Sequence, residues 1–195
     1  MPTGHTQVTI YNLALDIVST RAVSSTSELS PECRWLNRNY EHYVRSALRT
    51  ELWNFAKELH DLNRQVATPP YLWNYGFDLP SGWLRVIPPR YNGARTGSLI
   101  KYEVTGNVLY ADHEIVRTGI IMDKQDPGEW DPLFADYVGA RLAHGLAHTL
   151  THKASFKAET KQVVQEAYDV AASVNAFESP VDDTETHDVI RVRSQ

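Results

Sequence analysis

A single cysteine, Cys33, occurs in the 195 residues, which excludes an intramolecular disulfide and points to synthesis in a reducing, cytosolic compartment. Basic residues are also short: 19 Lys and Arg against 24 Asp and Glu leave a formal charge of -5. That balance argues against a tight, non-specific grip on DNA or anionic lipid, because both depend on clustered cations that release counterions. No run approaches the ~18 apolar residues of a membrane span, and the first 18 residues lack a basic flank followed by an apolar stretch, so no membrane association is expected. There is no internal repeat and no low-complexity tract, which excludes solenoids and propellers. Several chemical signatures are missing too: a Gly-x-Ser-x-Gly elbow, a Gly-rich phosphate loop, paired-cysteine metal spacing and His-Glu-x-x-His.

What is present suffices for a folded protein. A hydrophobic share of 42% with 22% charged residues can bury enough apolar surface to offset chain entropy. The length suits one domain over residues 1–177 with one main core, followed by an appendage, residues 178–195, read as an extended tail.

The pattern along the chain predicts an α+β protein, mainly α, with four helices in a bundle-like core and a β-rich insertion between the second and third. Ile10, Ala14, Ile17 and Val18 recur at helical spacing behind a capping Thr6, which predicts a first helix over about residues 7–19. Ser30-Pro31-Glu32 combines a good N-cap, a proline suited to the first turn and an acid for the positive helix end. The helix it opens carries Leu36, Tyr40, Tyr43, Val44, Ala47, Leu48 and Leu52 inward and Arg38, Glu41, Arg45 and Arg49 outward, to about Trp53.

From about residue 54 to 124 short alternating runs are broken by Pro69-Pro70, Pro80, Pro88-Pro89 and Gly93, which predicts strands and loops. The clearest hairpin covers residues 99–111 and turns at Thr105-Gly106-Asn107, and residues 114–122 add a further strand. Asp131-Pro132 then opens a third helix, to about residue 151, with Phe134, Val138, Leu142, Leu146 and Leu150 at four-residue spacing. The fourth, about residues 154–177, has Phe156, Val163, Ala167, Val170, Val174 and Phe177 in near-heptad spacing and is expected to pair antiparallel with the third, with Pro180 ending it.

Short blocks along the chain resemble, in their order, the head-to-tail adaptors of short-tailed phages, also called tail tubular protein A. They are Asn12-Leu13-Ala14-Leu15, Leu52-Trp53-Asn54-Phe55-Ala56, and the run from Tyr75 to Val86 with Leu79-Pro80 and Trp83-Leu84-Arg85-Val86. Further on come Tyr102-Glu103-Val104 with Gly106 and Leu109, Trp130-Asp131-Pro132-Leu133-Phe134, Leu142-Ala143, Leu146-Ala147 and the Ala-rich fourth helix, so the resemblance spans residues 8–177. It implies a structural virion protein and not an enzyme. Such a protein forms a homo-oligomeric ring, usually of twelve copies, that docks under the portal protein, extends the DNA channel and offers a platform to the downstream tail (nozzle) protein. It needs no cofactor, and the viral DNA passes through without sequence-specific binding. An acidic ring lumen would repel phosphates and let DNA slide. By analogy with such adaptors, the polar tail, with Asp182, Asp183, Glu185 and Asp188 followed by Arg191 and Arg193, is the expected portal-binding element.

Four other constellations are weighed against this reading. His144, His148 and His152, at i, i+4 and i+8, put three imidazoles on one helix face, where two could chelate a transition metal as in a metal-dependent hydrolase. Without an accompanying general base the favoured reading is a surface or ring-interface row. Tyr71, Trp73, Tyr75, Phe77 and Trp83 could stack bases in a nucleic-acid-binding module, though such platforms sit in basic grooves, and core or interface packing is favoured. Arg85, Arg90 and Arg95, in or beside the Pro-rich loop, could touch phosphates or an acidic face of a tail protein, with a solvated loop the blander reading. Cys33 with His42 offers a nucleophile and a base but lacks any supporting frame, and a small buried residue is the expectation for Cys33.

Overall fold

The structure, a computed structural model, describes residues 4–66, 69, 72–91, 98–150 and 154–179. It is an α+β protein with four helices and two antiparallel sheets among these residues. They fall into two compact units, one built from the chain up to Ala56 together with residues 123–178, the other from residues 57–122. Where the sequence suggests one main core, buried side chains gather in each unit.

The helical unit holds α1 (Gln7–Ile17), α2 (Pro31–Leu48), α3 (Pro132–Leu150) and α4 (Ala154–Phe177). Its helix starts are set by the expected caps. The Thr6 hydroxyl accepts from the Thr9 amide at 3.3 Å, Ser30 from Cys33 at 3.2 Å, and the Asp131 carboxylate from Leu133 at 2.8 Å. α3 packs against α1, α2 and α4. It can do so because small residues line it: Ala135, Ala140, Ala143 and Ala147 are buried, and glycines stand where the neighbours come closest. A Cβ on Gly139 would lie 3.0 Å from that of Leu13 on α1, and one on Gly145 would overlap the Tyr43 hydroxyl and the Trp35 ring on α2.

An aromatic cluster fills the space left by these small residues. Trp53 meets Phe134 edge-on at 5.1 Å between ring centroids, Trp130 meets Phe134 at 5.2 Å, and Tyr40 stacks on Trp130 at 6.4 Å. Both indole N–H groups are satisfied by backbone, Trp53 on the Ala47 carbonyl at 3.0 Å and Trp130 on that of Lys124 at 2.8 Å. Full burial of rings of this size is worth about 1.5–3 kcal/mol each before entropy is charged.

α2 ends at Leu48, short of the expected Trp53. The apolar spacing runs on through Leu52 and Trp53, but the Trp53 indole caps a carbonyl of the last helical turn, which requires the chain to fold back. α1 likewise stops at Ile17 rather than 19.

The β unit has seven strands: β1 (Lys57–Asp61), β2 (Asn63–Arg64), β3 (Tyr75–Asp78), β4 (Trp83–Val86), β5 (Tyr102–Thr105), β6 (Val108–Ala111) and β7 (Arg117–Met122). They form a three-stranded sheet in the order β1-β7-β4 and a four-stranded one in the order β2-β3-β6-β5. Phe77, Val86, Leu109, Ala111 and Ile120, drawn from both sheets, join a single buried cluster. The β5–β6 hairpin pairs Thr105 with Val108 around Gly106-Asn107, and Gly106 takes the positive φ of 60° that such a two-residue turn needs. The hairpin is shorter than expected, since Leu99 makes only an isolated bridge with Arg90. The last strand starts at Arg117 rather than 114, and Glu114 turns instead to Tyr75 and Arg64.

Candidate functional site

The histidine row is only partly described: the side chain of His148 and all of His152 lie outside the described residues. His144 is half-buried, and its Nδ1 lies 3.0 Å from the hydroxyl of Thr160 on α4, itself 1% exposed. The Thr160 hydroxyl also lies 3.1 Å from each of the Phe156 and Lys157 carbonyls. His144 therefore contacts α4 from α3. Among the described residues no three His, Cys, Asp or Glu are grouped to hold a metal ion.

The aromatic residues of the insertion are engaged within their own unit. Trp73 donates to Glu103 at 3.0 Å, Tyr75 to Glu114 at 3.1 Å, and Trp83 to the Asn107 amide oxygen at 3.2 Å, while Phe77 is wholly buried. The Arg64 guanidinium lies 4.3 Å over the Tyr75 ring. Hydrogen bonding to Glu114 pushes the Tyr75 phenol above its ordinary pKa. Two of these rings are thus anchored by carboxylates, which would repel the phosphates of a stacked strand. Tyr71 and Arg95 lie outside the described residues; Arg85 is in β4 and Arg90 is in the bridge to Leu99.

Cys33 and His42 stand nine positions apart on α2, roughly 13 Å along the helix axis, so they do not form a pair. The thiol is buried, its pKa is pushed up by desolvation, and it donates weakly to the Thr26 carbonyl at 3.4 Å. This is the environment of an inert thiol. A crevice of about 50 Å³ lies beside Asn54 and Asn175, and a wider depression over Pro31, Arg34, Asn37 and Arg38 is open to solvent.

What the structure brings together instead is an exposed apolar stripe. Val170, Val174 and Phe177 on α4 are 52%, 37% and 89% exposed. The near-heptad series pairs α4 with α3 in the sequence reading, but among the described residues of α4 the buried ones are Thr160 and Ala171, eleven apart. An eleven-residue spacing follows a straight helix, whereas a heptad stripe drifts by about 20° every seven residues, roughly 60° from Phe156 to Phe177. The apolar series ends exposed, at Val170, Val174 and Phe177. Neither the protein-family models nor the curated proteins compared with this chain include a match to it.

Proposed function

We propose that this chain is a structural subunit that works by assembly, a head-to-tail adaptor forming a ring, of twelve copies in the family it resembles, beneath the portal of a phage virion. In this reading the four helices act as a bundle-like body, the β unit is an insertion that reaches neighbours, and the ring extends the DNA channel and receives the tail protein. Residues 178–195 are the portal-binding tail. The function needs complementary surfaces and no cofactor, and viral DNA slides through without sequence-specific contacts.

The observation that carries this reading is the stripe of Val170, Val174 and Phe177. Three large apolar side chains in a row on one helix face are costly to leave in water, and such contiguous patches mark interaction surfaces. The polar groups most suited to chemistry support it from the other side, since His144 and Cys33 are both turned into internal contacts. Electron microscopy of the purified chain with portal protein tests the proposal, with rings seated on the portal as the expected result. Truncation after Phe177 should leave helical circular dichroism intact and abolish portal binding. Retained binding by the truncated chain refutes the assignment of the tail.

A further inference from the structure

Two oppositely charged, solvent-exposed faces occur on the helical unit. On α2, Arg34, Arg38 and Arg45 are exposed, with Glu41 the acid among them. Arg45 is held by Asp123 at 2.7 Å and by Glu41 at 3.5 Å, whereas neither Arg34 nor Arg38 makes an ion pair among the described residues. On α4 the exposed face carries Glu159, Glu166 and Asp169 beside Val170 and Val174. Gln162 meets Glu166 at 2.8 Å and Gln165 meets Asp169 at 2.8 Å, so amides rather than cations stand next to these carboxylates. α3 packs against both α2 and α4, and each of these two charged faces is open to solvent.

We infer that the outer face of α4 docks on the outer face of α2 of a second copy of this chain, with Glu166 and Asp169 meeting Arg34 and Arg38 around the Val170–Val174–Phe177 stripe. The two faces differ, so the contact is heterologous: each copy uses α4 toward one neighbour and α2 toward the other, which closes a ring or propagates a filament. The apolar stripe supplies the area removed from water, and the charges fix register and exclude an α4-to-α4 contact, in which acids would face acids. This inference rests on the adaptor reading for its biological setting and names the surfaces that reading leaves open.

Mixing charge-reversed full-length chains tests it, with sedimentation velocity as the readout and circular dichroism to verify folding. The wild-type chain is expected to self-associate at low salt. Arg34→Glu with Arg38→Glu in one chain, and Glu166→Lys with Asp169→Lys in another, should each weaken association about tenfold or more, because like charges then face each other. An equal mixture of the two should recover it, since the acidic α2 of the first meets the basic α4 of the second and the converse pair matches too. A wild-type chain that stays monomeric at low salt, reversed chains that associate as the wild type does, or a mixture no stronger than its components would each overturn the inference. Rings that still form on the portal with both faces reversed overturn this contact and leave the adaptor reading standing, whereas failure of the wild-type chain to form rings even on the portal overturns both.

Discussion

Tyr40 and Tyr11 lie ring to ring, 5.6 Å apart, yet their hydroxyls live differently. The Tyr11 hydroxyl donates to Asn37 at 2.8 Å and accepts from Gln7 at 2.6 Å. The Tyr40 hydroxyl is buried and meets no hydrogen-bond partner among the described residues. An unsatisfied buried hydroxyl costs free energy, so Tyr40→Phe should stabilise the protein by about 1 kcal/mol at neutral pH, while Tyr11→Phe should destabilise it by a similar amount. Denaturant midpoints of the two variants check this. Burial pushes the Tyr11 pKa up to about 12 and moves Tyr40 and Tyr168 in the same direction. The fold therefore favours the neutral phenols. Their contribution is complete below the unfolded value of about 10 and is lost as pH rises from there through the folded values. Stability should fall steeply above about pH 10, and less steeply in Tyr40→Phe.

At the scale of elements, the C-terminal end of α4 is tied down by one residue. The Asn175 side chain accepts from the Asn54 amide at 2.8 Å and donates to the Leu52 carbonyl at 3.1 Å, and its own carbonyl accepts from the Asn54 side chain at 2.9 Å. Asn175→Ala strands a backbone donor and a backbone acceptor, which should cost about 1–3 kcal/mol and speed hydrogen exchange in the last turns of α4. Unchanged exchange there would remove this clamp from the account.

Sequence reasoning reached the helices because their starts are encoded locally, in Thr6, Ser30-Pro31 and Asp131-Pro132. It missed the end of α2 because that end is set by a backward contact from Trp53, which periodicity does not register. It read the apolar series of α4 as near-heptad and paired the helix with α3, but did not show that Val170, Val174 and Phe177 are exposed. His144 was legible as a point on α3, but its role in the seam depends on Thr160, sixteen residues away, and so on tertiary packing.

At the scale of the molecule, the chain spends most of its polar chemistry on itself. Carboxylates anchor the rings of the β unit, histidine and threonine pin α3 to α4, and the one thiol is buried. Outward on the helical unit lie an apolar stripe, an acidic face of α4 and a basic face of α2, the surfaces that the proposed assembly would use. The α+β class was legible because a helical period gives way to alternation at the insertion and returns after it. The expected insertion over residues 54–124 nearly coincides with the unit of residues 57–122, but that this unit gathers a buried cluster of its own was not legible, because the sequence was read as having one main core. Native mass spectrometry of the full-length chain, with and without portal protein, tests self-assembly most directly. The account predicts a discrete closed oligomer, twelvefold on the portal, and a chain that remains monomeric in both samples would contradict it.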